Sequence, residues 1–147
     1  MRPVTPHEQR IKDELSSVGV TWYGRHKFNT HFIPKLIHEY EHIKGVIYGR
    51  FREDGGFLSM ADHMLVATDL RIISFNHKPG YTDIDEFTYD AVIGVDYTTA
   101  GPFSSVTLQT RLRDFTLRFV NPTCAKIFIT YLEARRFEYH EQYPLLR

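Results

Sequence analysis

From Lys44 to Val120 the apolar positions recur with a period of two; before and after that stretch they recur every three or four residues. The clearest segment is Leu65-Val66-Ala67-Thr68-Asp69-Leu70-Arg71-Ile72-Ile73-Ser74-Phe75. Two apolar, β-favouring runs flank the polar pair Thr68-Asp69, the pattern of a strand, a tight turn and a returning strand. The alternation predicts seven strands: Gly45–Arg52, Met64–Thr68, Arg71–Asn76, Asp85–Tyr89, Val92–Thr98, Ser104–Thr110 and Phe115–Val120. Turn chemistry marks the breaks, with Asp54-Gly55-Gly56, Lys78-Pro79-Gly80, Gly101-Pro102 and Arg113-Asp114 between them. In the sixth strand Val106 and Leu108 alternate with Thr107 and Gln109; in the seventh Phe115, Leu117 and Phe119 alternate with Thr116 and Arg118. Each of these two strands has one face for the core and one for water.

Three segments read as helix. His7 to Ser17 carries charges around a thin apolar stripe of Ile11 and Leu15, continued by Val18, and stops before Gly19. Thr30 to His42 is the second, with Pro34 tolerated in its first turn and Ile33, Leu36, Ile37 and Tyr40 at helical spacing on one face. Between them lies loop or a short strand at Thr21-Trp22-Tyr23, where Trp22 is the expected anchor of the N-terminal arm. Asn121-Pro122 opens the third as N-cap and first helical residue. Ala125, Phe128, Ile129 and Leu132 form its stripe, and Arg135 and Arg136 stand near its expected C-terminal end. Phe137 to Arg147 then reads as a short aromatic tail, too apolar to be left free in solvent.

Composition narrows the class. The chain has 147 residues, 42% hydrophobic and 14% aromatic, enough for one domain with a core. Eighteen basic and eighteen acidic residues cancel, so no global field attracts nucleic acid, and binding to a membrane would need a local patch. The lone Cys124 cannot form an internal disulfide, and no apolar leader follows Met1, which together fit a cytoplasmic protein. No nucleotide-binding glycine motif is present and no cofactor is expected.

Seven short strands closed by one amphipathic helix is the order of a pleckstrin-homology-like domain, and the chain resembles bacterial pleckstrin-homology domains of the YokE-like kind. The likeness is carried by Leu65-Val66-Ala67-Thr68-Asp69 before Arg71-Ile72-Ile73, by Phe87 and Tyr89 before Ile93 and Val95, and by the strand-then-helix ending from Phe115 to Leu132. It covers roughly Glu41 to Arg136, and the related GRAM domains share a similar strand pair. The resemblance implies an α+β, mainly β fold: a seven-stranded, partly open barrel capped by the C-terminal helix. Residues 1–43 would form an N-terminal helical extension, 44–136 the barrel with its helix, and 137–147 a tail. It also implies a binding module for lipids, peptides or proteins, with no catalytic residues carried over.

Three groups could carry function. His38-Glu39-Tyr40-Glu41-His42 fits H-E-x-x-H, in which two histidines four apart on a helix bind zinc and the glutamate acts as base. The longer motif fails, because Tyr48 stands where its third histidine would be, so a zinc hydrolase using His38 and His42 ranks below a solvated helix end. Lys44, Arg50 and Arg52 are separated by even numbers on one strand, which predicts a shared cationic face. Lipid-binding pleckstrin-homology domains hold inositol phosphates with a lysine and an R-x-R-like pair; here no loop separates the lysine from the arginines. Phe57, Leu58 and Met60 are apolar residues in the Gly-containing first loop, able to enter a bilayer or a partner's groove, unless they fold back onto the barrel mouth or the second strand simply starts earlier. Cys124, in the first turn of the last helix, has no base or resolving cysteine in its motif and reads as an inert thiol. The expectation is a non-enzymatic module that binds a protein partner or a second copy of itself through a strand edge, the Asp54–Met60 loop or the extensions. Anionic membrane lipid is the alternative ligand.

Overall fold

Met64-Leu65-Val66-Ala67 are four apolar residues in succession, and all four are buried. Neighbours on a strand point to opposite faces, so a run of this kind needs cover on both sides. A computed structural model supplies it. The described residues are 3–20, 30–52, 60–78, 81–100, 103–111, 114–118 and 120–142, with backbone alone for 50–52, 60–62, 77–78, 81, 100, 103 and 139–142. The expected Trp22 anchor and the short strand around it lie outside the described residues.

Among the described residues seven antiparallel strands follow one another: β1 (Ile43–Arg52), β2 (Met60–Thr68), β3 (Ile72–Lys78), β4 (Tyr81–Phe87), β5 (Val92–Ala100), β6 (Phe103–Thr110) and β7 (Asp114–Arg118). Their order is β4-β3-β2-β1-β7-β6-β5. A four-stranded half and a three-stranded half meet where β1 pairs with β7 at Arg50↔Arg118 and Phe51↔Leu117. The outermost strands, β4 and β5, are not bonded to each other, so the sheets do not close into a barrel. β2 begins at Met60, four residues before the expected start, which places Met60 in the strand and not in the loop. β4 runs earlier than the pattern predicts. It ends at Phe87, because Tyr89 turns inward in a 3₁₀ turn (Tyr89–Ala91) and its hydroxyl donates to the Thr68 carbonyl.

The inner face holds Ile47, Leu65, Ile72, Val106, Leu108 and Leu117 against Phe128 and Leu132 of the long C-terminal helix. That helix, α3 (Pro122–Gln142), starts as the sequence predicts: the Asn121 side chain accepts from the N–H groups of Thr123 and Cys124 at 2.9 and 3.2 Å. It continues six residues past the expected end, since nothing between Phe137 and Gln142 interrupts it and the first proline beyond Pro122 is Pro144. Arg135 and Arg136 therefore lie inside the helix. Arg135 sits over the Tyr89 ring at 5.0 Å, and Arg136 donates to the Ile93 carbonyl at 2.7 Å. Phe137, assigned by its pattern to a packed tail, is 70% exposed on the helix.

The outer face of β1–β3 is covered by the N-terminal arm. Ile43, Val46, Met64, Val66, Ile73 and Phe75 pack against Ile11, Leu15, Val18 and Val20 of helix α1 (Pro6–Ser17) and its exit, and against Ile33 and Ile37. Thr5 caps α1 by accepting from the Glu8 N–H at 3.1 Å. Its exit is a Schellman turn: Val20 N–H bonds to Leu15 O at 3.0 Å and Gly19 N–H to Ser16 O at 3.2 Å, with Gly19 at φ +93°. The second predicted helix shrinks to α2 (Ile33–Leu36). With the helix ended at Leu36, Tyr40 leaves the predicted buried face and is 70% exposed, while Ile33 and Ile37 remain buried.

α3 crosses β1 at Gly45, where an added Cβ would lie 2.9 Å from the Phe128 Cα. Gly45→Ala should therefore lower stability by about 1–3 kcal/mol in urea denaturation, as overpacking does. Lys44→Ala beside it, at an exposed residue, should change stability by less than about 0.5 kcal/mol.

Candidate functional site

The H-E-x-x-H segment has no helix beneath it. Beyond Leu36 the backbone is extended or turning, and its carbonyls are taken by two arginines from elsewhere in the chain. Arg71 Nη2 donates to Leu36 O at 2.8 Å. Arg10 Nη2 donates to His38 O and Glu39 O, both at 3.2 Å, and its Nη1 to Glu41 O at 2.9 Å. These bonds stand where i+4 amide bonds would stand in a helix. Residues 37–42 form a strap across one end of the sheet. His38 stacks on Tyr40 with ring centroids 5.2 Å apart, and His42 Nδ1 lies 2.9 Å from Glu14 Oε2 and 3.2 Å from Arg10 Nη1. The two histidines do not share a helical face, so the premise of the zinc motif fails. Among the described residues no group of three or more His, Cys, Asp or Glu side chains gathers as metal ligands.

Glu41, read from sequence as part of a solvated helix end, is fully buried. Arg71 grips it twice, Nε to Oε2 at 2.9 Å and Nη2 to Oε1 at 3.0 Å, while Thr68 Oγ1 donates to Oε2 at 2.6 Å and His38 N–H to Oε1 at 3.2 Å. Arg71 also pairs with Glu86 of β4. Burial by itself would raise the Glu41 carboxyl, but these hydrogen bonds outweigh it and hold the group below its ordinary value. Glu14 is held low in the same way: burial opposes, and the Ile43 N–H, His42 and Arg10 prevail. Burial, with Tyr131 beside it, pushes the Tyr89 phenol far above its ordinary value, so it stays a neutral donor to Thr68 O. No local signal marks Glu41 in the sequence, because its partner Arg71 is thirty residues away.

The cationic trio is not a regular row. Ile43 pairs with Thr68 and Gly45 with Ala67, so Lys44 is an extra residue, a β-bulge without a register partner, while Arg50 and Arg52 belong to the regular run from Gly45 to Arg52. Lys44 is exposed. Arg50 is the register partner of Asp62 on one side and Arg118 on the other, and Arg52 that of Met60. Phe57 and Leu58 lie outside the described residues. Cys124 is fully buried and donates to Gly19 O at 3.2 Å.

The open seam between the two halves carries a feature the sequence did not single out. A pocket of about 150 Å³ lies between the end of β4, the 3₁₀ turn and the adjoining ends of β6 and β7. Asp85, Glu86, Phe87, Ala91, Thr110, Arg111 and Phe115 line it. Phe87 and Phe115 stack across the seam, centroids 5.4 Å apart and planes 16° apart. Its lining joins the apolar Phe87, Ala91 and Phe115 with the charged Asp85, Glu86 and Arg111. A cavity on the order of 150 Å³ accepts a benzene-sized group and is smaller than the roughly 300–1,000 Å³ of sites for whole small molecules. The two edges beside it differ. β4 pairs with β3 without interruption from Ile72↔Phe87 to Lys78↔Tyr81. β5 is bulged between Val92 and Gly94, and Arg136 already occupies the carbonyl of Ile93.

No family model matches the chain, and no curated protein matches it. Among solved structures, a DUF1696 family protein with a pleckstrin-homology domain from Shewanella loihica PV-4 is similar at a TM-score of 0.39 and 12% identity. The match covers 76% of this chain and 92% of that one. Among the described residues no helix is long and apolar enough to cross a membrane.

The polar node makes two predictions. Arg71→Met leaves Glu41 buried without its cation and should cost about 3–5 kcal/mol in chemical denaturation at pH 7. Because Glu41 is held low in the folded chain, its ionised form favours folding. That contribution is full above the unfolded carboxylate value, about 4.3, and is lost as pH falls through it toward the lower folded value. Glu41→Gln should be less stable at pH 7 and lose stability less steeply between pH 5 and pH 3, read from denaturation midpoints across that range.

Proposed function

We propose that the chain is a non-enzymatic binding module for an extended segment of a protein partner, which docks at the open seam. The observation that carries this reading is the seam pocket, sized for one side chain and set beside a strand edge with no further strand on it among the described residues. An extended peptide gains main-chain hydrogen bonds from an edge strand and specificity from pockets for alternate side chains. A single ring or branched aliphatic group entering above Phe87 and Phe115 supplies the anchor. Element order supports the same reading: seven antiparallel strands followed by a helix is the order implied by the resemblance to bacterial pleckstrin-homology domains.

The test is selection of a displayed library of random nine-residue peptides on the full chain, with Ala91→Phe in parallel to fill the pocket. Enriched peptides should carry one aromatic or large aliphatic residue at a fixed position and bind the variant at least tenfold more weakly. A library without binders, or binders indifferent to Ala91→Phe in a variant shown folded by its amide spectrum, would overturn the reading.

A further inference from the structure

Both outer strands offer main-chain groups, but only one offers them without obstruction. β5 is bulged at Ile93, where the Arg136 guanidinium holds the carbonyl. β4 is seven residues long, regular in register, and ends at the pocket. Its charges set what can lie beside it. Asp83, Asp85 and Glu86 fall within four positions that include the 44% exposed Ile84; Asp85 and Glu86 are exposed and Asp83 is half-buried, 3.8 Å from His63. Glu86 is partly neutralised by Arg71; Arg111 stands on the far wall of the pocket.

A second copy of β4 is a poor occupant. Centred on Ile84 in an antiparallel pair, Asp83 of each copy would stand opposite Asp85 of the other, and a pair centred on Asp85 sets Asp85 against Asp85. Like charges directly opposite destabilise a pair of strands. Charges of this kind keep an edge from its own copies, and the same charges attract a strand of opposite sign.

Resting on the binding-module reading above, we propose that the edge that takes the partner is β4 and that the partner segment is cationic. It is an extended stretch with lysine or arginine at alternate positions beside Asp83 and Asp85, and with its apolar anchor at the Phe87 end, in the pocket. The ligand joins β3-β4 as a further strand. Its hold weakens with added salt, because Asp85 is exposed and Asp83 only half-buried.

The probe is the set of peptides enriched by the full chain, sorted by net charge and remeasured on Asp85→Lys and Ala91→Phe. Asp85 is exposed on an edge strand, and an unchanged amide spectrum outside β4 and its neighbours verifies the fold of the variant. The expected result is a net positive enriched set, at least fivefold weaker on Asp85→Lys, with amide shifts on titration concentrated in Tyr81–Phe87. Peptides that are neutral or acidic, or that bind Asp85→Lys unchanged while losing Ala91→Phe, would overturn the cationic strand and leave the seam reading standing. Peptides indifferent to both variants would overturn the two together.

Discussion

Two guanidinium groups decide how this chain is assembled. Arg10 reaches from α1 to the carbonyls of His38, Glu39 and Glu41, and Arg71 reaches from the turn between β2 and β3 to Leu36 O and both oxygens of Glu41. Together they satisfy backbone groups that a helix would otherwise satisfy. The Leu36 and Glu41 carbonyls are part-buried, and a carbonyl shut from water without a partner costs on the order of 1–3 kcal/mol, so these two bonds support a strap that leaves the helical conformation. The strap in turn fixes where α1 lies. Glu14, on the same helix as Arg10, accepts from the Ile43 N–H at 2.8 Å, which ties the arm to the first residue of β1.

The consequence is a sheet buried on two sides by two different layers. The inner layer is α3 with the three-stranded half, and the outer is the N-terminal arm. Burying Ile11, Leu15 and Ile33 outright, at about 1.5–3 kcal/mol each relative to exposure, makes the arm part of the fold's stability. The inner layer has its own polar ties: Tyr89 to Thr68 and Arg71, and Ser104 to the Val120 carbonyl. Thr68 belongs to both systems, since its hydroxyl donates to Glu41 and its carbonyl accepts from Tyr89. The turn that announces the hairpin in the sequence thus joins the outer strap to the inner core.

Most of the strand pattern was legible because side-chain alternation is a local property. Val106, Leu108, Phe115 and Leu117 are buried and their neighbours wetter, as the period of two requires. The Asn121 cap was legible for the same reason. The helix expected over Thr30–His42 was read from a periodicity that holds at Ile33 and Ile37, while the groups that bond to the carbonyls beyond its early end, Arg10 and Arg71, lie far off in sequence. Glu41 was missed on the same grounds: a carboxylate beside two histidines looks solvated unless its distant cation is known. The pocket was invisible because its lining comes from four separate segments, and no one of them is unusual alone. Lys44, Arg50 and Arg52 were grouped by counting along the strand, and counting does not show that Lys44 is a bulge residue without a register partner.

That bulge has a further meaning for chain length. Ile43 packs outward with the arm and Gly45 packs inward against α3, although two positions on a regular strand would face the same way. Lys44 absorbs the difference. Removing it would join Ile43 to Gly45 as ordinary neighbours, each still on its present side and still opposite Thr68 and Ala67. Removing any residue from Val46 to Gly49 would instead carry every side chain on one side of the cut to the wrong layer. β1 therefore has one place where the polypeptide can shorten without the two cores exchanging residues, and it lies at the junction between arm and sheet.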